Sequence, residues 1–271
     1  MGRTKNSCIF SLFLSICLLF SASAFAHTLW LNATDYSPKV YPKFGARSKV
    51  YFGWGHHYPV DDFLAVEDLQ EFSLIYPNGE RKAIMPGKGG FLATQMNFKQ
   101  PGLYIVAASK KPGFYTMYVK KGRVHHEIGP KTGLEGVILS LYYEQYAKSL
   151  INVGEAEDDS FSKPVGHKLE IIPLENPYKL YGCGGHFLPL KVLFDGKPAK
   201  YCKVYATYMG FSTGDDFAYA TSTNGEGIAK IRLTHWGPHL IKASMELPAT
   251  DELKDKCNEL SYTATLTFEV P

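Results

Sequence analysis

Apolar positions in this chain follow three rhythms. The first is a mostly apolar run from Cys8 to Phe20 behind the basic residues Arg3 and Lys5, closed by Ala24-Phe25-Ala26. A basic start, a short apolar stretch and an A-x-A site make a secretory signal peptide cut after Ala26. At about 13 residues the run is shorter than the ~20 that span a bilayer.

The second rhythm is that of short β-type runs. Ser48 to Trp54, Glu71 to Tyr76, Gly90 to Phe98 and Leu103 to Ser109 are rich in aromatic and β-branched residues, with turn residues between them. Pro77-Asn78-Gly79 predicts a tight turn into Arg81 to Met85. After residue 164 the pattern resumes at His167 to Pro173, Lys191 to Phe194, Lys203 to Tyr208 and Ile228 to Leu233. It ends in Tyr262 to Val270, where threonines alternate with apolar residues. The third rhythm is helical. Leu134, Ile138, Leu141, Tyr142, Tyr146 and Leu150 recur at intervals of three and four in a stretch without proline, which predicts one helix over Leu134–Leu150. The acidic stretch 154–162 reads as a solvated linker.

These patterns predict a mainly β protein of two β-sandwich domains, immunoglobulin- or transthyretin-like, joined by a segment with one helix. The expected divisions are a signal peptide over 1–26, an N-terminal sandwich over 27–122, a helical insertion and linker over 123–163, and a C-terminal sandwich over 164–271. The signal implies an exported protein. Loss of Arg3 and Lys5 lowers the formal charge from +3 to about +1, so nothing points to nucleic acid or to a strongly anionic partner. Cys183, Cys202 and Cys257 remain after cleavage, and Cys202 with Cys257 is the pair expected to bridge in an oxidising compartment.

Cleavage after Ala26 changes the chemistry, because it makes His27 the first residue. A terminal histidine offers an α-amine and an imidazole together, a chelate for a borderline transition metal. The nearest partner in sequence is Gly55-His56-His57-Tyr58-Pro59, at the end of a strand. Neighbouring side chains on a strand point to opposite faces, so one of His56 and His57 faces a site containing His27, unless the Gly55 turn redirects them. Asp61 and Asp62 follow, able to supply an oxygen ligand or to orient an imidazole. His125-His126, His235 and His239 are further clusters, while His167 and His186 stand alone. Mature position three is Leu29, which excludes the amino-terminal square-planar copper/nickel motif, and the scattered methionines exclude a Met-rich copper carrier. Gly-x-Ser-x-Gly, HExxH and phosphate-cradling glycine loops are missing from the sequence.

Several segments match a known pattern in order. They are His27-Thr28-Leu29-Trp30-Leu31, Gly55-His56-His57-Tyr58-Pro59-Val60-Asp61-Asp62, Lys111-Pro112-Gly113-Phe114-Tyr115-Thr116 and Tyr146-Ala147-Lys148. Val165 to Leu174, Val192 to Pro198 and Tyr262 to Phe268 complete the set. Together they resemble the bacterial family of periplasmic proteins, long described as a domain of unknown function, that is assigned to cobalt/nickel uptake systems. The resemblance implies a two-sandwich periplasmic protein that binds Ni²⁺ or Co²⁺ and supports a membrane transporter of the energy-coupling type. By motif, the family's post-signal histidine maps to His27 and its Gly-His motif to His56. The leading expectation is therefore a non-enzymatic metal-binding protein whose ligands are His27 and His56, joined by His57, Asp61 or Asp62. Two rivals remain. One is a copper enzyme with a "histidine brace" that cleaves polysaccharides oxidatively. The other is an adhesion or carbohydrate-binding module built on the chain's 14% aromatic residues.

Overall fold

The computed structural model describes residues 27–182 and 185–271. The expected signal peptide and its cleavage site, and Cys183, lie outside the described residues. The chain is mainly β. Its first eight strands are β1 (Thr28–Ala33), β2 (Ala46–Gly55), β3 (Leu69–Ile75), β4 (Arg81–Ala83), β5 (Thr94–Phe98), β6 (Gly102–Lys120), β7 (Arg123–Glu127) and β8 (Val137–Val153). The second half adds β9 (Leu169–Pro173), β10 (Phe187–Phe194), β11 (Lys197–Pro198), β12 (Lys203–Tyr208), β13 (Tyr219–Ser222), β14 (Ile228–Arg232), β15 (Gly237–Pro248) and β16 (Glu259–Val270). No helix among the described residues is long and apolar enough to cross a membrane.

A nine-stranded sheet runs through both halves in the order β13-β12-β15-β16-β8-β6-β3-β4, with β7 paired to β6. The join between the halves is parallel, β16 beside β8 from Glu259↔Leu141 to Thr267↔Ser149. One face carries the three-stranded sheet β1-β2-β5, and the other carries a four-stranded sheet of β9, β10, β11 and β14. Two cores result, and β6 serves both. Tyr104, Val106 and Ala108 pack with Leu31, Phe52 and Phe98 on one side. Ile105 and Ala107 pack with Leu190, Ile231 and Leu266 on the other.

From Val137 onward the predicted helix over Leu134–Leu150 is instead strand β8, bonded to β6 from Gly102↔Val153 to Tyr118↔Val137. A strand covered on both faces loses its period-two alternation. Ala147 and Ile151 enter one core and Leu150 the other, with Tyr142 and Tyr146 packed against that second core. The resulting near-continuous apolar run happens to satisfy helical spacing. Its valine, isoleucine and three tyrosines are the residues that favour a pleated surface.

Two further expectations change. Cys202 and Cys257 are separate, buried thiols, their sulfurs directed at the carbonyls of Ser244 (3.4 Å) and Leu253 (3.6 Å). Burial raises both thiol pKa values, that of Cys202 to about 12. The acidic stretch at 154–162 is tethered rather than loose. Asp158 accepts the Leu103 N–H at 2.7 Å, and the Ser160 hydroxyl donates to the Leu103 carbonyl at 2.6 Å.

Candidate metal centre

β1 is an edge strand, and its pairing with β2 decides what faces what. The antiparallel register runs from Ala33↔Val50 to Thr28↔Gly55. Continued by one step, it sets His27 across from His56. Cross-strand neighbours share a face with their Cβ atoms about 5 Å apart. The two imidazoles accordingly meet edge-to-face, centroids 4.6 Å apart. Trp54, two residues before His56 and on the same face, meets the His27 ring at 5.4 Å. Trp54 is held from beyond by the buried Lys110, whose ammonium lies 5.3 Å from the indole centroid and 3.1 Å from Asp68.

The other edge of β1 is fastened by side chains of the central sheet. Thr265 and Thr267 donate their hydroxyls to the carbonyls of Leu29 (2.8 Å) and Leu31 (2.6 Å). Gln145 on β8 acts as a surrogate peptide. Its Oε1 accepts the Leu29 N–H at 2.9 Å, and its Nε2 donates to the His27 carbonyl at 2.6 Å. Between these bonds, the Thr28 hydroxyl accepts from the Lys242 ammonium at 2.9 Å.

The loop carrying His56 is fixed as firmly. Asp61 Oδ2 accepts the backbone N–H of His56 (2.6 Å) and of His57 (3.2 Å). Gly55 makes this possible: it sits at φ +136, and a Cβ there would lie 2.2 Å from Asp61 Oδ2. The hydrogen bond from the His56 N–H, the largest influence, holds the Asp61 carboxyl below its ordinary pKa. Trp30 and Asn32 of β1 both donate to the Pro59 carbonyl at 2.9 Å, tying the loop to the strand that carries His27.

Of the five residues expected at the site, His27 and His56 come together. His57 turns toward Asp61, with 3.6 Å between Nδ1 and Oδ1. The Asp61 carboxylate is occupied in shaping the loop, and Asp62 accepts its neighbour's Phe63 N–H at 2.7 Å. Among the described residues no three His, Cys, Asp or Glu side chains gather to hold an ion. Side chains of these types alone therefore supply two ligands here, His27 and His56.

A cavity of about 20 Å³, room for one water, adjoins His56 and is lined also by Thr28, Tyr58, Thr207, Asp215 and Lys242. Burial first, then the nearby His27 and Lys242, lower the His56 pKa, opposed by Asp61 and Asp215. His56 is thus biased to the neutral form that can ligate. Burial lowers Lys242 to about 8, with Glu246 opposing.

The remaining histidines serve elsewhere. His125 stacks on Tyr118 and His126 hydrogen-bonds the Tyr115 hydroxyl, both in the exposed β7 region. His186 accepts the Tyr181 N–H at 3.2 Å, and His235 stacks on Tyr208 at 4.6 Å. His167 and His239 are buried and have one ring nitrogen each without a partner. Sequence reasoning missed Gln145, Lys242, Thr28 and Asp215. A glutamine among Tyr142, Tyr143 and Tyr146 was the one visible sign, concealed by the helical spacing.

Among curated proteins none matches the chain. Residues 24–247, most of its length, match the family described as a domain of unknown function, DUF4198, and the chain belongs to that family.

Proposed function

We propose that this protein is exported to the periplasm, is cut after Ala26, and binds a transition-metal ion between His27 and His56. The reading rests on one observation, the β1–β2 register that carries His27 opposite His56 with the rings 4.6 Å apart. Cleavage would add the α-amine of the same residue. An all-nitrogen donor set of this kind suits borderline ions. Ni²⁺ or Co²⁺ fits the resemblance to cobalt/nickel uptake proteins, and the role proposed is non-enzymatic: holding the ion for a membrane transporter.

The protein's own groups would divide the work. Gln145 holds the His27 main chain, Asp61 holds the His56 loop, and burial with neighbouring positive charge keeps His56 neutral. Side chains leave the remaining coordination positions open, as handing an ion onward requires.

Calorimetric titration of the processed protein with Ni²⁺ and Co²⁺ tests the reading. Binding should be lost in His27→Ala and His56→Ala, and in protein retaining residues before His27. Equal affinity in all of them would sink it.

A second reading follows from the donor count. Two imidazoles and an amine form the donor set of a copper brace, and Cu²⁺ leads the intrinsic affinity order. Oxidised products from polysaccharide incubated with copper-loaded protein and a reductant would favour that enzyme.

A further inference from the structure

A cleft of about 550 Å³ opens on the other face of the central sheet from His27. Gln145 reaches His27, whereas Tyr146, the next residue of β8, lines this cleft, and neighbours on a strand point to opposite faces. The floor is a cross-strand row. Glu71 of β3 pairs with Ser109 of β6, and Ser109 with Tyr146, so the three side chains stand side by side. Glu144 follows on the same face of β8, and the Tyr146 hydroxyl donates to its carboxylate. The roof is formed by His167, Lys168 and Glu170 at the entry to β9 and by Asp195 in the β10–β11 turn. The Asp195 N–H joins the two parts by donating to the Lys168 carbonyl at 2.8 Å. Small organic ligands occupy clefts of about 300–1,000 Å³.

The charges of this cleft narrow the class of ligand. Four carboxylates line it, and three are paired: Glu71 with Arg81, Glu144 with Lys168 at 3.4 Å, and Glu170 with Lys148 at 2.7 Å. Asp195 has no ion-pair partner among the described residues. The cations are engaged further, Lys168 with the Tyr262 hydroxyl at 3.2 Å and Arg81 with the Val165 carbonyl at 2.9 Å. A ligand carboxylate or phosphate therefore meets no unpaired cation, and a cationic ligand meets one uncompensated carboxylate. Neutral hydroxyls suit the cleft better. They donate to carboxylates already held in place, and such charge-assisted bonds are the strong ones.

His167 is an independent sign of a missing ligand. It lines the cleft, is 7% exposed, and has a buried Nε2 without a hydrogen-bond partner. Buried polar atoms are ordinarily satisfied. Burial pushes its pKa down to about 3, so the ring is neutral and Nε2 either donates or accepts. A hydroxyl can answer both. Aromatic surface is at hand as well, since Tyr142 and Tyr146 are half-buried in the cleft and the Tyr146 ring lies 5.0 Å from that of His167. Aromatic faces beside fixed acceptors suit a ligand with a C–H face and a rim of hydroxyls.

We propose that this cleft binds a neutral sugar, a mono- or disaccharide, with its ring against Tyr142 and Tyr146 and its hydroxyls shared among Glu144, His167 and Asp195. The site is separate from the proposed metal centre and does not rest on it.

Saturation-transfer NMR of the purified protein with glucose, galactose, mannose, maltose and cellobiose, and with arginine and acetate as charged controls, tests this. At least one sugar should bind and neither control should. Calorimetry then follows that sugar in variants. Asp195→Asn keeps a residue type that tolerates φ +48 but removes the charge, and should weaken binding about 10-fold. His167→Phe keeps a flat ring without Nε2 and should weaken it about 2- to 10-fold. If His167→Phe melts early, Asp195→Asn decides alone. His27→Ala should bind the sugar like the unchanged protein, whatever it does to metal binding. No sugar bound, arginine or acetate bound instead, or a sugar affinity that survives both cleft changes would overturn the proposal.

Discussion

Replacing Gln145 with leucine probes how His27 is held. Gln145 is 4% exposed, and its amide joins two main-chain groups on either side of Thr28. Leucine fills much of the same space but offers neither donor nor acceptor. The His27 carbonyl, on an exposed residue, can turn to water. The Leu29 N–H cannot, because Leu29 is fully buried. Leaving one buried donor unpaired costs about 1–3 kcal/mol. A loss near 2 kcal/mol should lower the melting temperature by about 4–8 °C in a chain of this size. A second effect bears on function. Without its carbonyl anchor, the first mature residue must be ordered by the metal itself, and fixing one residue's backbone costs about 1–2 kcal/mol. Ni²⁺ affinity should therefore fall about 5- to 30-fold in Gln145→Leu, measured by calorimetry well below its melting temperature. Lower stability with unchanged affinity would refute the claim that Gln145 positions His27. No change in either would refute the reading of the amide as a surrogate strand.

Other consequences are checked separately. His57→Ala should leave Ni²⁺ affinity within about twofold, because His57 turns toward Asp61 while His56 meets His27; loss of binding by calorimetry would return His57 to the ligand set. Glu170→Gln strands the Lys148 ammonium, which is 2% exposed and 2.7 Å from Glu170 Oε1, and should cost about 3–5 kcal/mol in urea denaturation. His167 and His239 have pKa values lowered by burial to about 3 and about 4. The unfolded chain therefore takes up their protons first. Stability should be full above about pH 6.5 and fall as pH drops through the folded values, by up to about 1.4 kcal/mol per pH unit for each histidine. His167→Gln should flatten that slope in urea melts taken between pH 6.5 and 4; an unchanged slope would show that His167 does not contribute.

Local patterns were legible in the sequence wherever one face of a strand is wet. Pro77-Asn78-Gly79 does form the β3–β4 connection, and Asp195-Gly196 turns β10 into β11. The misreading of β8 came where two cores share a strand, as they also share β6, and where the resulting apolar run satisfied helical spacing as well. The parallel β8–β16 junction links residues more than a hundred positions apart, and no local pattern announces it. At the site, His27 and His56 could be nominated from residue type and position. Which of the paired histidines faces inward depended on register, and register depends on pairings the sequence does not display.

The alternation of threonine and apolar residues in β16 has a use that a simple two-faced strand would not need. Its apolar set, Leu260, Tyr262, Ala264, Leu266 and Phe268, fills the larger core. Its threonines on the other face do not meet solvent: Thr265 and Thr267 are buried and donate to the free edge of β1. An edge strand of six residues would ordinarily fray, the more so if it began one residue after a chain terminus. Here two threonines, Gln145 and Lys242, all from the central sheet, take the place of a neighbouring strand. They fasten the main chain from His27 to Leu31 without covering the face that His27 shares with His56. On the proposed reading, a side-chain ladder of this kind would let a terminus created at His27 stay rigid while its amine and imidazole remain accessible, the combination that a preorganised metal site requires.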